Sequence, residues 1–408
     1  MTIPKLRFKD SDSSEFPEWE EKKLGTFCVK IGSGKTPKGG RKIYCNDGVM
    51  LIRSQNVLNG ILDLSDVVYI TNDINESMLS TVLEEHDVLL NITGASIGRC
   101  CLYLCDKKAN VNQHVCIIRL GKNADIIPEF LLQYILSECI QNQIKSYQNG
   151  GSREGLNFQQ VSNFIVHRPS LPEQRKIASF LSTIDEIIQS TESELTAWQE
   201  RKKGVMQKIF NREVRFKADD GSEFPEWEEK KFGDICVINP KTEEVEDEFL
   251  YMDLGSVDHG DWEEPEVMIK SKAPSRAQRV ARVGDVFFQS VRPYNQGHFH
   301  YSEKKDKQVV ASTGYIQIRM KNCDSGFIYQ ILYDAHFNQE VSIRCTGSNY
   351  PAINADDFSE IVIAYPCVEE QRKIADCLSS LDDVINQIQA ELSAWKEFKK
   401  GLLQQMFV

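Results

Sequence analysis

The side chains here that could do chemistry fall into a Gly-Lys-Thr run and several sets of polar residues at the ends of apolar stretches. GSGKTP (32–37) has the tail of a phosphate-binding loop. That loop needs a glycine five residues before Gly34, where this chain has Val29, and no long helix pattern follows. Lys35 and Thr36 are better suited to meeting a nucleic-acid phosphate than to cradling a nucleotide. A second set, Asn91, Thr93, Ser96 and Arg99, surrounds the turn TGASIG. Asn112 and Gln113, followed by His114, open an apolar run, and Arg53 closes another. Further along, Gln289, Ser290, Arg292, Tyr294 and Asn295 cluster after an apolar run, with Gln296 beside them. Two glycine-rich return loops add Ser152 and Arg153 in GGSRE (150–154) and Ser348, Asn349 and Tyr350 in TGSNY (346–350). Arginine forks onto guanine edges, and asparagine and glutamine pair with adenine. As a set these side chains suit contact with double-stranded DNA, with turn formation and phosphate contact the competing roles of each.

Catalytic patterns are missing from the same sequence. Asn239-Pro240 is followed by Lys241, so no Asn-Pro-Pro-aromatic element of an amino-methyltransferase is present, and no glycine-rich loop suits S-adenosylmethionine. No His-Glu-x-x-His or Gly-x-Ser-x-Gly appears, and the 12 cysteines form no C-x-x-C pair or zinc-ligand spacing. The cysteines read as reduced, mostly buried small hydrophobes. No cofactor and no metal is expected on this chain. The carboxylates and lysines of EFPEWEEKK imitate a nuclease site, but that string occurs twice beside a tryptophan, which points to a structural role.

The net charge of −12 is unevenly spread. Residues 1–168 hold 19 basic and 19 acidic side chains, while 213–365 hold 17 and 28. Within the acidic half, Lys270 to Arg292 carries six basic residues against Asp285 alone, and residues 35–53 carry five against Asp47. Basic strips on an acidic body can grip a phosphate backbone locally. No stretch is apolar enough to span a membrane, and MTIPKLRFKDSDSS is too polar for a secretory signal, so the expected location is cytoplasmic.

The frame that must position these residues is written twice. EFPEWEEKKLGTFC (15–28) returns as EFPEWEEKKFGDIC (223–236), each preceded by RFK. EQRKIASFLSTIDEIIQSTESELTAWQERKKGVMQKIF (173–210) returns as EQRKIADCLSSLDDVINQIQAELSAWKEFKKGLLQQMF (370–407). The period, about 200 residues, is a whole module and not a solenoid unit. Between these anchors only a skeleton is shared: HDVLLNIT with GDVFFQSV, VNQHVCIIRL with ASTGYIQIRM, and GLNFQQVSNFIVHRP with AINADDFSEIVIAYP. One architecture therefore presents two different surfaces.

The long repeats carry a heptad rhythm. Ile177, Leu181, Ile184, Ile188, Leu195 and Trp198 form the seam of the first, interrupted by Thr191 and Lys202. Ile374, Leu378, Leu381, Ile385, Leu392 and Trp395 form that of the second, interrupted by Lys399. A pseudo-two-fold relation of the modules predicts antiparallel pairing of the two helices. A parallel coiled coil that dimerises the chain, or helices lying flat on their own domains, are the competing arrangements. The globular parts read as strand-dominated: VMLIRSQNV (49–57), DVLLNIT, HVCIIRL, DVFFQSV and GYIQIRM as strands, with helices over 129–147 and 327–343. The expected fold is mixed α/β. It has globular domains at 1–168 and 213–365, each followed by a helix at 169–212 and 366–408, the helices forming a long antiparallel coiled coil that separates the domains.

The two-copy plan, the EFPEWEEKKLG string, the LPEQRKIA helix start (171–178) and the NQH and STG strand openings together resemble the specificity subunits of type I restriction-modification systems. The resemblance covers essentially the whole chain, and its most specific element is the EQRKIA pair with its heptads. It implies two target recognition domains, each reading half of a split DNA target, and helices that set the spacer. It implies docking of two modification (methyltransferase) subunits and of restriction (translocase/endonuclease) subunits, which carry S-adenosylmethionine, ATP and magnesium. It implies a chain that supplies addresses and no catalysis. The alternatives are the target-recognising subunit of a methylation-only system, a coiled-coil protein adaptor, and an autonomous enzyme, the last opposed by the missing cofactor loop.

Overall fold

The computed structural model describes residues 4–148, 155–258, 260–262 and 265–407. The chain divides into two compact units, Met1–Glu192 with Ala390–Val408, and Ser193–Gln389. Each unit therefore takes half of each long helix, a division that cuts across the helix boundaries expected from sequence.

In the first unit a four-stranded antiparallel sheet runs in the order Cys28–Ser33, Val115–Leu120, Val88–Asn91, Cys100–Leu102. A three-stranded sheet places Val49–Ile52 between Val68–Ile70 and Ala109–Val111, pairing parallel with the latter. The second unit repeats this plan. Its four-stranded antiparallel sheet has the order Cys236–Ile238, Tyr315–Met320, Val286–Gln289, Phe299–His300. The other sheet runs Glu266–Ile269, Glu248–Met252, Val309–Ser312, Ala277–Val280, with Glu248–Met252 parallel to Val309–Ser312.

Strand periodicity explains why the central strands are apolar throughout. Successive side chains point to opposite faces. Val88 and Leu90 enter the core that contains the helices, while Leu89 enters a separate core between the sheets. Val286 and Phe288 part from Phe287 in the same way. The aspartate before each strand closes a tight turn: Asp87 accepts from Glu84 N, and Asp285 from Arg282 N, both at 2.8 Å. Each aspartate, 1 % exposed, then holds a neighbouring-strand arginine with two bonds, Asp87 to Arg119 and Asp285 to Arg319. Those bonds raise the pKa of both guanidiniums. This is the physical content of the shared (H/G)D…R skeleton.

The two helices expected over 129–147 and 327–343 are each broken in two. The first becomes Pro128–Leu136 and Glu138–Gln148, and the second Ser325–Ile331 and Ala335–Arg344. Ser137 turns to extended backbone and its hydroxyl donates to Tyr134 O at 2.7 Å. Asp334 ends the other run by accepting from Phe337 N at 3.0 Å, as an N-cap.

The repeated strings close each unit on itself. Glu20–Lys23 pairs antiparallel with Ile165–Arg168, and Glu228–Lys231 with Val362–Tyr365. Trp19 packs edge-on to Phe130 and Phe407 in the first core. Arg7 donates to Pro17 O at 2.8 Å and to both oxygens of Glu173, which is fully buried. Arg215 does the same with Pro225 O and Glu370, and Trp227 Nε1 adds a 2.9 Å bond to that carboxylate. The next residue, Gln174, accepts from Ile127 N and donates to the Asp125 and Pro169 carbonyls; Gln371 accepts from Asp324 N and donates to Pro366 O. Lys176 reaches Lys9 O and Lys373 reaches Lys217 O. In EQRKIA, then, the Glu, Gln and Lys fasten the helix start to its domain, while Arg175 and Arg372 are exposed.

The long helices span Leu171–Phe210 and Val368–Met406. Seam residues Ile177, Leu181, Ile184, Ile374, Leu378 and Leu392 are buried, as is Leu195 at 9 % exposed. Ile188, Trp198, Leu381, Ile385 and Trp395 are half-buried. In the first unit Asp185 pairs with Lys399 and Glu192 with Lys396, so the helices run antiparallel there. In the second, Lys202 pairs with Asp382 while Met206 and Ile209 share a core with Ile374 and Leu378, again antiparallel. The two lysines that interrupt the heptads are thus interhelical partners. Each aspartate also accepts a 2.8 Å bond from its own domain, Asp185 from Gln133 and Asp382 from Gln330.

Removing one partner of a buried ion pair typically costs about 3–5 kcal/mol. Glu370→Ala is therefore expected to lower the melting temperature by roughly 6 °C or more. A calorimetric shift below about 2 °C would remove this carboxylate from the frame.

Candidate nucleic-acid interface

Backbone hydrogen bonds gather many of the polar loop residues at one end of each unit's strands. In the first unit the hub is the turn Asn112–His114. Its Asn112 O accepts from Gly34 N, its Asn112 N donates to Ile52 O, and its His114 O accepts from Ile92 N. Leu156 N then donates to Ile92 O, bringing in the segment that begins at Gly155. Lys35, Thr36, Arg53, Thr93 and Gln113 are thereby brought together. Gly34 is required by close packing and not by a phosphate: a Cβ there would sit 1.7 Å from Val111 O. The segment after it forms only a short 3-10 turn, Gly40–Ile43, not a phosphate-binding helix.

Lys35, Thr36, Arg99 and Gln113 are exposed. Thr93 is half-buried and its Oγ1 lies 2.6 Å from His114 Nδ1. Ser96 is half-buried in the 3-10 turn Gly94–Ser96. Arg53 is partly committed, its guanidinium held by Asp66 at 3.2 Å.

In the second unit the hub is the turn Thr313–Gly314. Ser290 N donates to Gly314 O, Thr313 N to Arg276 O, Ile353 N to Ser290 O, and Arg292 N to Pro351 O. Arg292 is half-buried, while Tyr294, Asn295, Ser348, Asn349 and Tyr350 are exposed. Arg276, exposed beside this hub, was signalled only by the basic strip around it. That strip is partly spent internally: Arg282 pairs with Glu243, and Lys270 donates to Val245 O. Ser152 and Arg153 lie outside the described residues.

Four expected contact residues have a different position. Asn91 is fully buried and its amide donates to Ser54 O at 2.8 Å and Val57 O at 3.3 Å. Asn112, 7 % exposed, accepts from His114 N at 3.0 Å. Gln289, 4 % exposed, donates to Val291 O and accepts from Gly297 N, both at 2.9 Å. Ser290 donates to Gly314 O at 2.8 Å. Apart from Asn91 Oδ1, which is buried without a partner among the described residues, the polar groups named here are used in bracing the loops, as buried amides and hydroxyls generally find partners. They hold the exposed residues in place and do not offer themselves to a groove.

The cysteines are all free and none is exposed. Burial pushes the Cys101 and Cys116 thiols up to about 12. Among the described residues no group of three or more His, Cys, Asp or Glu side chains is placed to hold a metal ion, and no helix is long and apolar enough to cross a membrane.

Two versions of one mixed domain, each with a polar hub at its strand ends and each bound into antiparallel long helices, define a tandem-module protein of the DNA-specificity class. The chain belongs to the type I restriction modification DNA specificity domain family, whose family model matches residues 17–197 and again 225–394. It is 25% identical to the type I restriction enzyme MjaVIII specificity subunit of Methanocaldococcus jannaschii, covering 97% of this chain and 94% of that one. Over 173 residues, 41% of this chain and 36% of the other, it is 26% identical to the EcoBI specificity subunit of Escherichia coli. Its fold is similar to the S subunit crystal structure from M. genitalium, with TM-score 0.60, 16% identity, and coverage of 100% of this chain and 99% of that one. A chain from a structure of type I R-M complex assembly and conformational transition gives TM-score 0.54 at 19% identity, over 96% of this chain and 98% of that one.

The bracing role separates two variants. Gln289→Ala removes two loop bonds and is expected to cost about 1–3 kcal/mol and to speed hydrogen exchange at Gly297. Tyr294→Ala is expected to stay within about 0.5 kcal/mol of the parent. Equal losses for the two would contradict the assignment.

Proposed function

We propose that this chain is the DNA-reading subunit of a type I restriction-modification complex and performs no catalysis itself. Each globular unit reads one half of a bipartite double-stranded target, and the paired helices set the spacer between the halves. Two modification subunits dock on the chain and bring S-adenosylmethionine. Restriction subunits, where the system has them, bring ATP and magnesium. The observation that carries this reading is the contrast within the repeat. Asp87–Arg119 and Asp285–Arg319, with the buried amides Asn91 and Gln289, build one scaffold twice, while the exposed residues on it differ.

Positioning and specificity then separate by residue type. Lys35 and other exposed cations contact phosphates, which gives sequence-independent grip and steep salt dependence. Exposed Arg, Asn and Gln at the hubs meet base edges. The overall acidity does not oppose this, since screening at physiological salt limits charge effects to about 8 Å.

Two measurements test the reading. Replacing residues 29–150 with those of another family member, co-expressed with the modification subunit, is expected to change one half of the methylated motif and leave the other intact. A change in both halves would refute independent modules. Inserting four residues into each long helix at facing positions adds about 6 Å of helix and is expected to lengthen the spacer by one or two base pairs. An unchanged spacer in the methylome would refute the ruler.

A further inference from the structure

The loops that end the two central strands share one plan built from different residues. Asn91 and Gln289 stand at the strand ends as buried braces. Thr93 bridges Gly155 in one unit, and Val291 bridges Ala352 in the other. A 3-10 turn follows in each, Gly94–Ser96 and Pro293–Asn295. Two positions at or beside the ends of these turns have positive φ. In the first unit they are Gly94 at 68° and Gly98 at 87°. In the second they are Arg292 at 52° and Gln296 at 53°.

Glycine reaches this region without a steric penalty, whereas a residue with a Cβ is disfavoured there. Arginine and glutamine also lack the short side chain that lets asparagine hydrogen-bond locally and tolerate it. The first unit demonstrates that the loop can be built with glycine at both corners. At Gly94 a Cβ would meet nothing within 4 Å, so the corner has room for a side chain and only the backbone conformation opposes one. Retained strain of this kind clusters where a side chain is needed for function.

The surroundings of Arg292 say which function. Its guanidinium lies 4.3 Å from the Tyr350 ring centroid, and Tyr350 is 65% exposed. No hydrogen bond or ion pair occupies that guanidinium among the described residues. Tyr294, next along the loop, is 66% exposed. The Arg292 backbone is fixed by its own N–H to Pro351 O at 2.7 Å, and Asn295 N returns to Arg292 O at 3.0 Å. A cation stacked on an aromatic face keeps its N–H edge free, and that planar edge matches the paired acceptors of guanine.

We propose that Arg292 is a guanine-reading side chain of the second unit, aimed by its left-handed backbone and oriented by stacking on Tyr350. This rests on the reading of the unit as a DNA-binding module. It adds a base identity, a geometric reason for one residue among the several polar residues of the hub, and an asymmetry between the two halves of the target.

The test compares Arg292→Gly with Arg292→Ala in the full chain, co-expressed with the modification subunit of its own system. Methylation mapping of the parent is expected to show a G·C pair in the second half-site. Both variants are expected to lose about 5- to 150-fold of the preference at that pair while the first half-site stays intact. Thermal melting of the full chain separates strain from scaffolding. Arg292→Gly is expected to raise the midpoint by roughly 2 °C, and Arg292→Ala to give no rise. A second half-site with no G·C pair, or one read unchanged by both variants, overturns the assignment. So does a loss of stability in both variants with discrimination intact, which would make the Arg292–Tyr350 stack a scaffold contact. If the parent complex binds and methylates no DNA, the DNA-reading function itself fails, and this assignment with it.

Discussion

A buried carboxylate at the start of each long helix is the constraint from which the rest of the molecule follows. Glu173 and Glu370 are fully buried. An isolated charge in that position would be strongly destabilising, so each must be met by a cation and by further donors. Arg7 and Arg215 meet them, and each arginine simultaneously holds the backbone carbonyls of the Phe-Pro pair just upstream of the tryptophan. One interaction thus joins the lead-in, the tryptophan string and the helix start, segments that lie far apart in sequence. With Gln174 and Gln371 tying the neighbouring loop to the same helix turn, the direction in which each helix leaves its domain is set. Loops at the strand ends can then vary freely without disturbing the frame.

The sequence made this frame legible because its two copies are nearly identical, which marks the frame residues without any comparison to other chains. It also made the heptad seam legible, since the apolar seam residues are buried or half-buried. What it concealed was the fate of polar residues. Asn91 and Gln289 carry the functional groups that pair with adenine, yet they sit in extended strands whose next residues turn into loops. The fold there leaves loop carbonyls and amides needing partners, and a buried side-chain amide is the simplest way to supply them. Type and position along the chain do not distinguish a brace from a reader; burial does. The broken helices have a similar cause. The apolar rhythm continues through Ser137 and Asp334, and only the ability of those side chains to satisfy a helix end reveals the break.

The loops also show how one scaffold supports two surfaces at different local cost. The first unit uses glycine at both left-handed corners and places polar side chains elsewhere, on the turns holding Lys35, Gln113 and Arg99. In the second unit the Cys236–Ile238 strand gives way to Asn239 and Pro240, with Lys241 and Thr242 following, in place of the Gly34-Lys35-Thr36 turn. Its side chains are concentrated at the corners themselves and on the return loop. A scaffold stabilised by its own buried network can tolerate strained corners, because the bonds that fix the loop do not run through the strained side chains.

The charged interruptions of the heptads decide how the helices pair. Lys399 is 13% and Lys202 14% exposed at the side chain, and each finds an aspartate on the other helix that also accepts from a glutamine of the adjacent domain. In a parallel pair of identical helices the same lysine would face itself across the seam. Two desolvated ammonium groups would meet with no carboxylate between them, and the aspartates would be left far along the helix. That arrangement is penalised by both repulsion and desolvation. The antiparallel arrangement removes the conflict twice over, once in each unit, because the lysine of either copy lies opposite the aspartate of the other. A polar residue that weakens the seam locally therefore selects the partner and the register. The glutamines extend that selection from the helices into the domains they carry.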